Sequence, residues 1–157
     1  MEGPQRGRRH RGVLTSSCYA CSHARPDAPL RERVVLRHGW RVAVDFNSSL
    51  RGWLIATPAR HVLALADLSV EEAAALGPLL REASMALQAV TGCEKTYVML
   101  FAEADGFEHL HLHIVPRMED IPDDRKGPAV FAYLKDGAAV SEEARDDLAS
   151  ALQSAWP

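Results

Sequence analysis

The 157-residue chain is poor in the features that define whole classes of protein. It has three cysteines, Cys18, Cys21 and Cys93, too few for a disulfide-built scaffold. No apolar run approaches the roughly 20 residues that span a bilayer. The basic N-terminus lacks the apolar segment of a secretory signal, so a cytoplasmic setting is expected. Nor is there an excess of positive charge: the formal net charge is −3. Four of the arginines lie in residues 1–12 beside one glutamate, which leaves the rest of the chain acidic. An acidic body excludes a broad nucleic-acid surface, because that needs clustered Lys and Arg. Residues 1–14 are expected to be a disordered basic tail and residues 15–157 a single domain. No repeat or long low-complexity tract interrupts it.

What is present reads as alternating strands and helices. Val34-Val35-Leu36 and Trp40, Val42, Val44 predict two strands around a turn at His38-Gly39. Gly52 to Thr57 predicts a third, stopped by Pro58. Ser69-Val70-Glu71-Glu72 has the form of a capping box, opening a long Ala/Leu-rich helix that ends at Thr91-Gly92. Gly77-Pro78 inside it predicts a kink or two joined pieces. Thr96–Phe101 and His109–Val115 predict a fourth and a fifth strand, the last halted by Pro116. A short helix is expected after Gly127-Pro128. A last one starts at Ser141, with Leu148, Leu152 and Trp156 on one face. The fold class is α+β: an antiparallel sheet of about five strands, a long helix packed on it and a C-terminal helix.

Chemistry concentrates in His109-Leu110-His111-Leu112-His113-Ile114-Val115. Side chains two apart on a strand share a face, so three imidazoles stand in a row opposite Leu110, Leu112 and Ile114. A single histidine there would be a structural residue, but three at strict period two, in a chain with seven, are hard to reach by chance. Two chemistries remain open. Neutral imidazoles on H-x-H spacing can ligate a metal. Imidazole is also a nucleophile towards phosphorus.

Cys18 and Cys21 form a second motif. C-x-x-C supplies two thiolates at structural-zinc spacing, or a redox pair when it opens a helix after a strand. Here it follows the basic arm in an expected loop, which favours metal. Two further ligands are needed, and histidines are the candidates.

His109-Leu-His111-Leu-His113-Ile-Val resembles the H-φ-H-φ-H-φ-φ signature of the histidine-triad superfamily (φ hydrophobic), with Pro116-Arg117 as a frequent continuation. The resemblance runs from about Cys18 to Arg117. It implies a nucleotide hydrolase or nucleotidyltransferase of the dinucleoside polyphosphate or nucleoside phosphoramidate class, with His111 forming a nucleotidyl-histidine and His113 holding phosphate. A nucleotide-binding module with little turnover is the alternative. The segment from Asp45 to His61 resembles the family's D-x-x-P-x-x-x-G-H-x-L-x-x-P-x-x-H stretch. It implies a structural zinc on Cys18, Cys21, His61 and His109, Asp45 on ribose, and Asn47 near the nucleoside or phosphate. A homodimer is implied as well. Two departures stand out. Ala104-Asp105-Gly106-Phe107-Glu108 replaces G-Q-[ST]-V-x, so Gly106 can offer phosphate only its backbone N–H. Trp53 stands where many members have histidine after glycine.

Overall fold

The computed structural model describes residues 18–157; the expected basic tail lies outside them. The sheet starts at a hairpin whose two loop residues, His38 (φ 51°) and Gly39 (φ 77°), are both left-handed. That is the turn whose twist matches two antiparallel strands. It joins β1 (Val35–Arg37) to β2 (Trp40–Val44), with Arg37 opposite Trp40. β3 (Leu54–Pro58), β4 (Lys95–Leu100) and β5 (Leu112–Arg117) complete an antiparallel sheet of order β1-β2-β3-β5-β4.

Period-two alternation divides this sheet into two environments. Trp40, Val42 and Val44, then Leu54 and Ala56, then Leu112 and Ile114 form one buried cluster. α2 (Val70–Thr91) contributes Leu79, Ala83, Ala86 and Leu87 to it, and α3 (Glu142–Ala155) contributes Leu148, Ala149 and Leu152. The intervening residues Arg41, Ala43, Asp45, Ile55, Thr57 and His113 point away from the helices and line a cavity. The Gly127–Leu134 segment, a 3-10 helix, covers the rest of that face around Trp53, Val115 and Val130.

The capping box at Ser69 and Glu72 forms as expected, and Gly92 ends α2 in the left-handed conformation. The expected break at Gly77-Pro78 does not divide the helix: α2 is one element of 22 residues. An interior proline costs about 3 kcal/mol. Fully burying Leu79 and Leu87 alone contributes about 2 kcal/mol each, enough to carry the helix through. α3 is capped by Ser141 as expected, and Trp156 just beyond it donates from Nε1 to Glu82. No helix among the described residues is long and apolar enough to cross a membrane.

Three boundaries differ from expectation. The C-x-x-C is not in a loop: Cys18 caps α1 (Tyr19–His23), its sulfur accepting from the Cys21 N–H at 3.4 Å. Pro58 is the last residue of β3, opposite Trp40. β5 begins at Leu112 rather than His109 and runs through Pro116. Its pairing with β3 ends at Leu54↔Ile114, so the donor that Pro116 lacks breaks no bond on that side. At the other end the Pro58 carbonyl is taken by the His109 side chain instead of a ladder amide, at 3.1 Å.

Gly52 closes the gap beside Pro116. Its φ is +100°, and a Cβ there would lie 2.8 Å from the Pro116 ring. Gly52→Ala is expected to lower unfolding free energy by about 1–3 kcal/mol, read from urea denaturation.

Candidate functional site

The entry to β5 is held by one cluster. Ligand atoms of Cys18, Cys21, His61 and His109 all lie within 4.8 Å of one another. His109 Nδ1 is 3.5 Å from Cys18 Sγ and 3.6 Å from Cys21 Sγ, and His61 Nδ1 is 3.3 Å from Cys21 Sγ. The sulfur–nitrogen edge of a tetrahedral zinc site is about 3.6 Å, from bond lengths of about 2.3 and 2.05 Å. The donor set and its spacing therefore fit such an ion. The His109 Nε2 faces a carbonyl, which can only accept, so Nε2 carries the proton and Nδ1 presents its lone pair to the sulfurs. Burial, then His61, push His109 down to about 4, which keeps it neutral. Burial, then the Cys18 sulfur, push the Cys21 thiol up to about 11. A divalent ion is the partner that offsets this cost of a thiolate. The three cysteines are free. His111 and His113 are not part of the cluster, so the three histidines do not form a metal centre of their own among the described residues.

His111 is oriented by its neighbour. Its Nδ1 lies 2.8 Å from the His109 carbonyl and must donate to it. In the neutral ring, that leaves the nucleophilic lone pair on Nε2. His113 has the opposite tautomer. The Trp53 indole, which only donates, reaches His113 Nδ1 at 3.1 Å, so Nε2–H is the free donor. The rings of Trp53 and Phe131 pack edge-on against His113. Burial, then His111, hold His113 down to about 4. Residue 53, read as a departure in the sequence, thus sets a tautomer that a histidine there could also have set.

A cavity of about 380 Å³ joins these groups to Asp45, Asn47, Glu32 and Arg41. Asp45 is buried, and its Oδ2 accepts from the backbone N–H groups of Asn47 and Ser48 at 2.9 and 2.7 Å. Burial raises its pKa, while those two amides and then Arg145 and His111 oppose the rise. The Asn47 side chain lines the cavity but donates to the Leu134 carbonyl. Gly106 is not among the lining residues: it turns the loop with φ 80°, and its carbonyl accepts from Tyr19. Ala104 and Phe107 on either side take the wall position.

Sequence reasoning missed the aromatic wall of Tyr19, Phe46 and Phe107, where Tyr19 and Phe46 stack with centroids 4.7 Å apart. It also missed the buried Glu32–Arg41 pair. Only Arg41 left a signal: it shares the Asp45 face at period two, a charge in a strand otherwise apolar.

No family model matches the sequence, and no curated protein does. Solved structures match strongly. A zinc-bound histidine-triad family protein from Mycobacterium smegmatis is similar over 90% of this chain and 96% of its own, at TM-score 0.64 and 22% identity. A histidine-triad protein from Sinorhizobium meliloti matches over 79% and 88%, at TM-score 0.65 and 21% identity. The chain has the histidine-triad fold. The diadenosine triphosphate hydrolase of Plasmodium falciparum, solved with cyclomarin A, shares it at TM-score 0.60 and 16% identity, over 79% of this chain and 75% of its own.

A pH dependence follows from His113. Its folded-state pKa of about 4 lies below the ordinary histidine value of 6.5. On acidification the unfolded chain therefore takes the proton first. The stability contributed by neutral His113 is complete above about pH 6.5 and is lost as pH falls towards 4, at up to about 1.4 kcal/mol per pH unit. Urea denaturation at pH 7 and pH 5 is expected to show a larger loss in the wild type than in His113→Gln.

Proposed function

We propose that this chain is a histidine-triad nucleotide hydrolase or nucleotidyltransferase working at an α-phosphate through His111, with zinc held structurally by Cys18, Cys21, His61 and His109. The observation that carries the reading is the 2.8 Å bond from His111 Nδ1–H to the His109 carbonyl. It leaves Nε2 as the nucleophile in a cavity that also contains the Asp45 carboxylate. The shared fold with a diadenosine triphosphate hydrolase and with a uridylyltransferase (TM-score 0.63) supports the substrate class.

In the first step Nε2 attacks phosphorus and the bond to the leaving group breaks with its electron pair, the leaving group taking a proton from solvent. The ring then carries positive charge, and the bond from Nδ1–H to the carbonyl strengthens as that charge develops. His113 Nε2–H donates to a non-bridging phosphate oxygen. Asp45 accepts from ribose hydroxyls with the lone pairs its two backbone donors leave free. Asn47 contacts the nucleoside side of the cavity. Gly106 lacks a hydroxyl and does not line the cavity, so the phosphate contact rests on His113. In the second step water or another acceptor displaces the nucleotide, gives up its proton and restores His111. Zinc when bound supplies a rigid tie and no open coordination position.

The exposed edge of β4, with Val98 uncovered, supports a homodimer paired along that strand. Three free cysteines fit a cytoplasmic setting. The lost hydroxyl at Gly106 favours a second reading, a nucleotide-binding module with little turnover.

His111→Ala is expected to lower kcat by about 10³-fold or more while the nucleotide still binds. A nucleotidyl adduct trapped by an alkaline denaturing quench, which preserves the acid-labile P–N bond, should appear in the wild type and vanish in the variant. No adduct with diadenosine polyphosphates or adenosine phosphoramidates would sink the catalytic claim, and tight binding alone would establish the second reading. Elemental analysis is expected to find zinc in the wild type and to lose it in Cys21→Ser. That loss should lower Tm, because a structural ion contributes folding free energy directly.

A further inference from the structure

We propose that Glu32, held by Arg41 in the cavity wall, selects the base of the bound nucleotide by accepting from a ring edge that carries N–H donors, as guanine's does. This rests on the nucleotide reading above and adds the base to it.

Placement comes from the sheet. Arg41, Ala43 and Asp45 alternate along β2 on the cavity face, and the small Ala43 leaves the wall between the two charged residues open. Arg41 pairs with Thr57. Continuing the β3–β5 register one residue past Ala56↔Leu112 sets Thr57 beside His111. The Arg41 backbone is thus two strands, about 10 Å, from that of His111. Asp45, Tyr19, Glu32 and Arg41 line one cavity, so a nucleotide with phosphorus at His111 and ribose at Asp45 has this end open to its base. The stacked Tyr19 and Phe46 and the nearby Phe107 give a planar ring an aromatic wall there.

The polar chemistry is selective. Glu32 and Arg41 are 5% and 4% exposed, and both line the cavity. Arg41 spends its Nη groups on the Glu32 carbonyl at 2.8 Å, the Glu32 carboxylate at 3.4 Å and the Ala20 carbonyl at 3.4 Å. Among the described residues, Glu32 receives that long contact on Oε2 and one from the Tyr19 hydroxyl on Oε1 at 3.3 Å. A carboxylate has about four lone-pair positions, so both oxygens keep capacity to accept. Guanine offers N1–H and the 2-amino group side by side, matching two oxygens. Adenine sets the lone pair of N1 against them, and hypoxanthine retains N1–H but lacks the amino group. A buried ion pair is a weak stabiliser, since apolar replacements are often as good. Its place in the cavity wall gives the pair a use beyond stability.

Isothermal titration of the full-length protein with guanosine, inosine and adenosine monophosphates tests this. The expected order is guanosine, then inosine, then adenosine, with about tenfold or more between the extremes. Glu32→Gln should bring the extremes to within about threefold while adenosine monophosphate still binds. Should Glu32→Gln fail to fold, the wild-type series decides alone. Equal affinity for all three, or an unchanged ratio in the variant, overturns the inference and leaves the nucleotide reading standing. Binding of none overturns the nucleotide reading itself.

Discussion

The site depends on how His109 is held. Three of its polar groups have separate partners: Nδ1 faces the two cysteine sulfurs, Nε2–H binds the Pro58 carbonyl, and its own carbonyl receives Nδ1–H of His111. The C-x-x-C helix, the end of β3 and the entry to β5 meet in that one residue. A ring fixed on both nitrogens cannot rotate, so the backbone carrying the acceptor for His111 cannot drift. The Cys/His cluster thus bears on the orientation of His111 without touching it.

The sheet keeps apolar packing and polar chemistry apart without spending separate elements on them. One face takes the large aliphatics and both long helices; the other takes the carboxylates, imidazoles and guanidinium. Since the period is two, a slip of one residue in β2 or β5 would exchange Asp45 for Val44 or His113 for Leu112. The two-residue hairpin at His38-Gly39 and the close approach of Gly52 to Pro116 guard that register.

Within the cavity wall the same burial has opposite effects on different groups. It disfavours charge on His113 and so preserves a neutral donor, and it raises Asp45, which backbone amides partly counter. The indole of Trp53 is suited to this dry setting because it can only donate and cannot itself take up a proton.

Local pattern alone was enough for the strands of the hairpin, the capped start of α2 and the glycine that ends it. Each of these depends on neighbours within a few residues. The C-x-x-C pair and the histidine run also stood out in the sequence, being residue types with few structural uses at those spacings. Their partners were another matter. His61 and His109 are 48 positions apart, and whether they meet Cys18 and Cys21 depends on how β3 and β5 pair. The start of β5 at Leu112, the helix continuing through Pro78, Trp53 on His113 and Glu32 on Arg41 were likewise settled by packing. In each, a distant surface or carbonyl outweighs what the local residues prefer. The histidine row therefore stood out in the sequence, while only the tertiary structure divided it: His109 to the cysteine cluster, His111 to the carbonyl of His109, and His113 to the indole of Trp53.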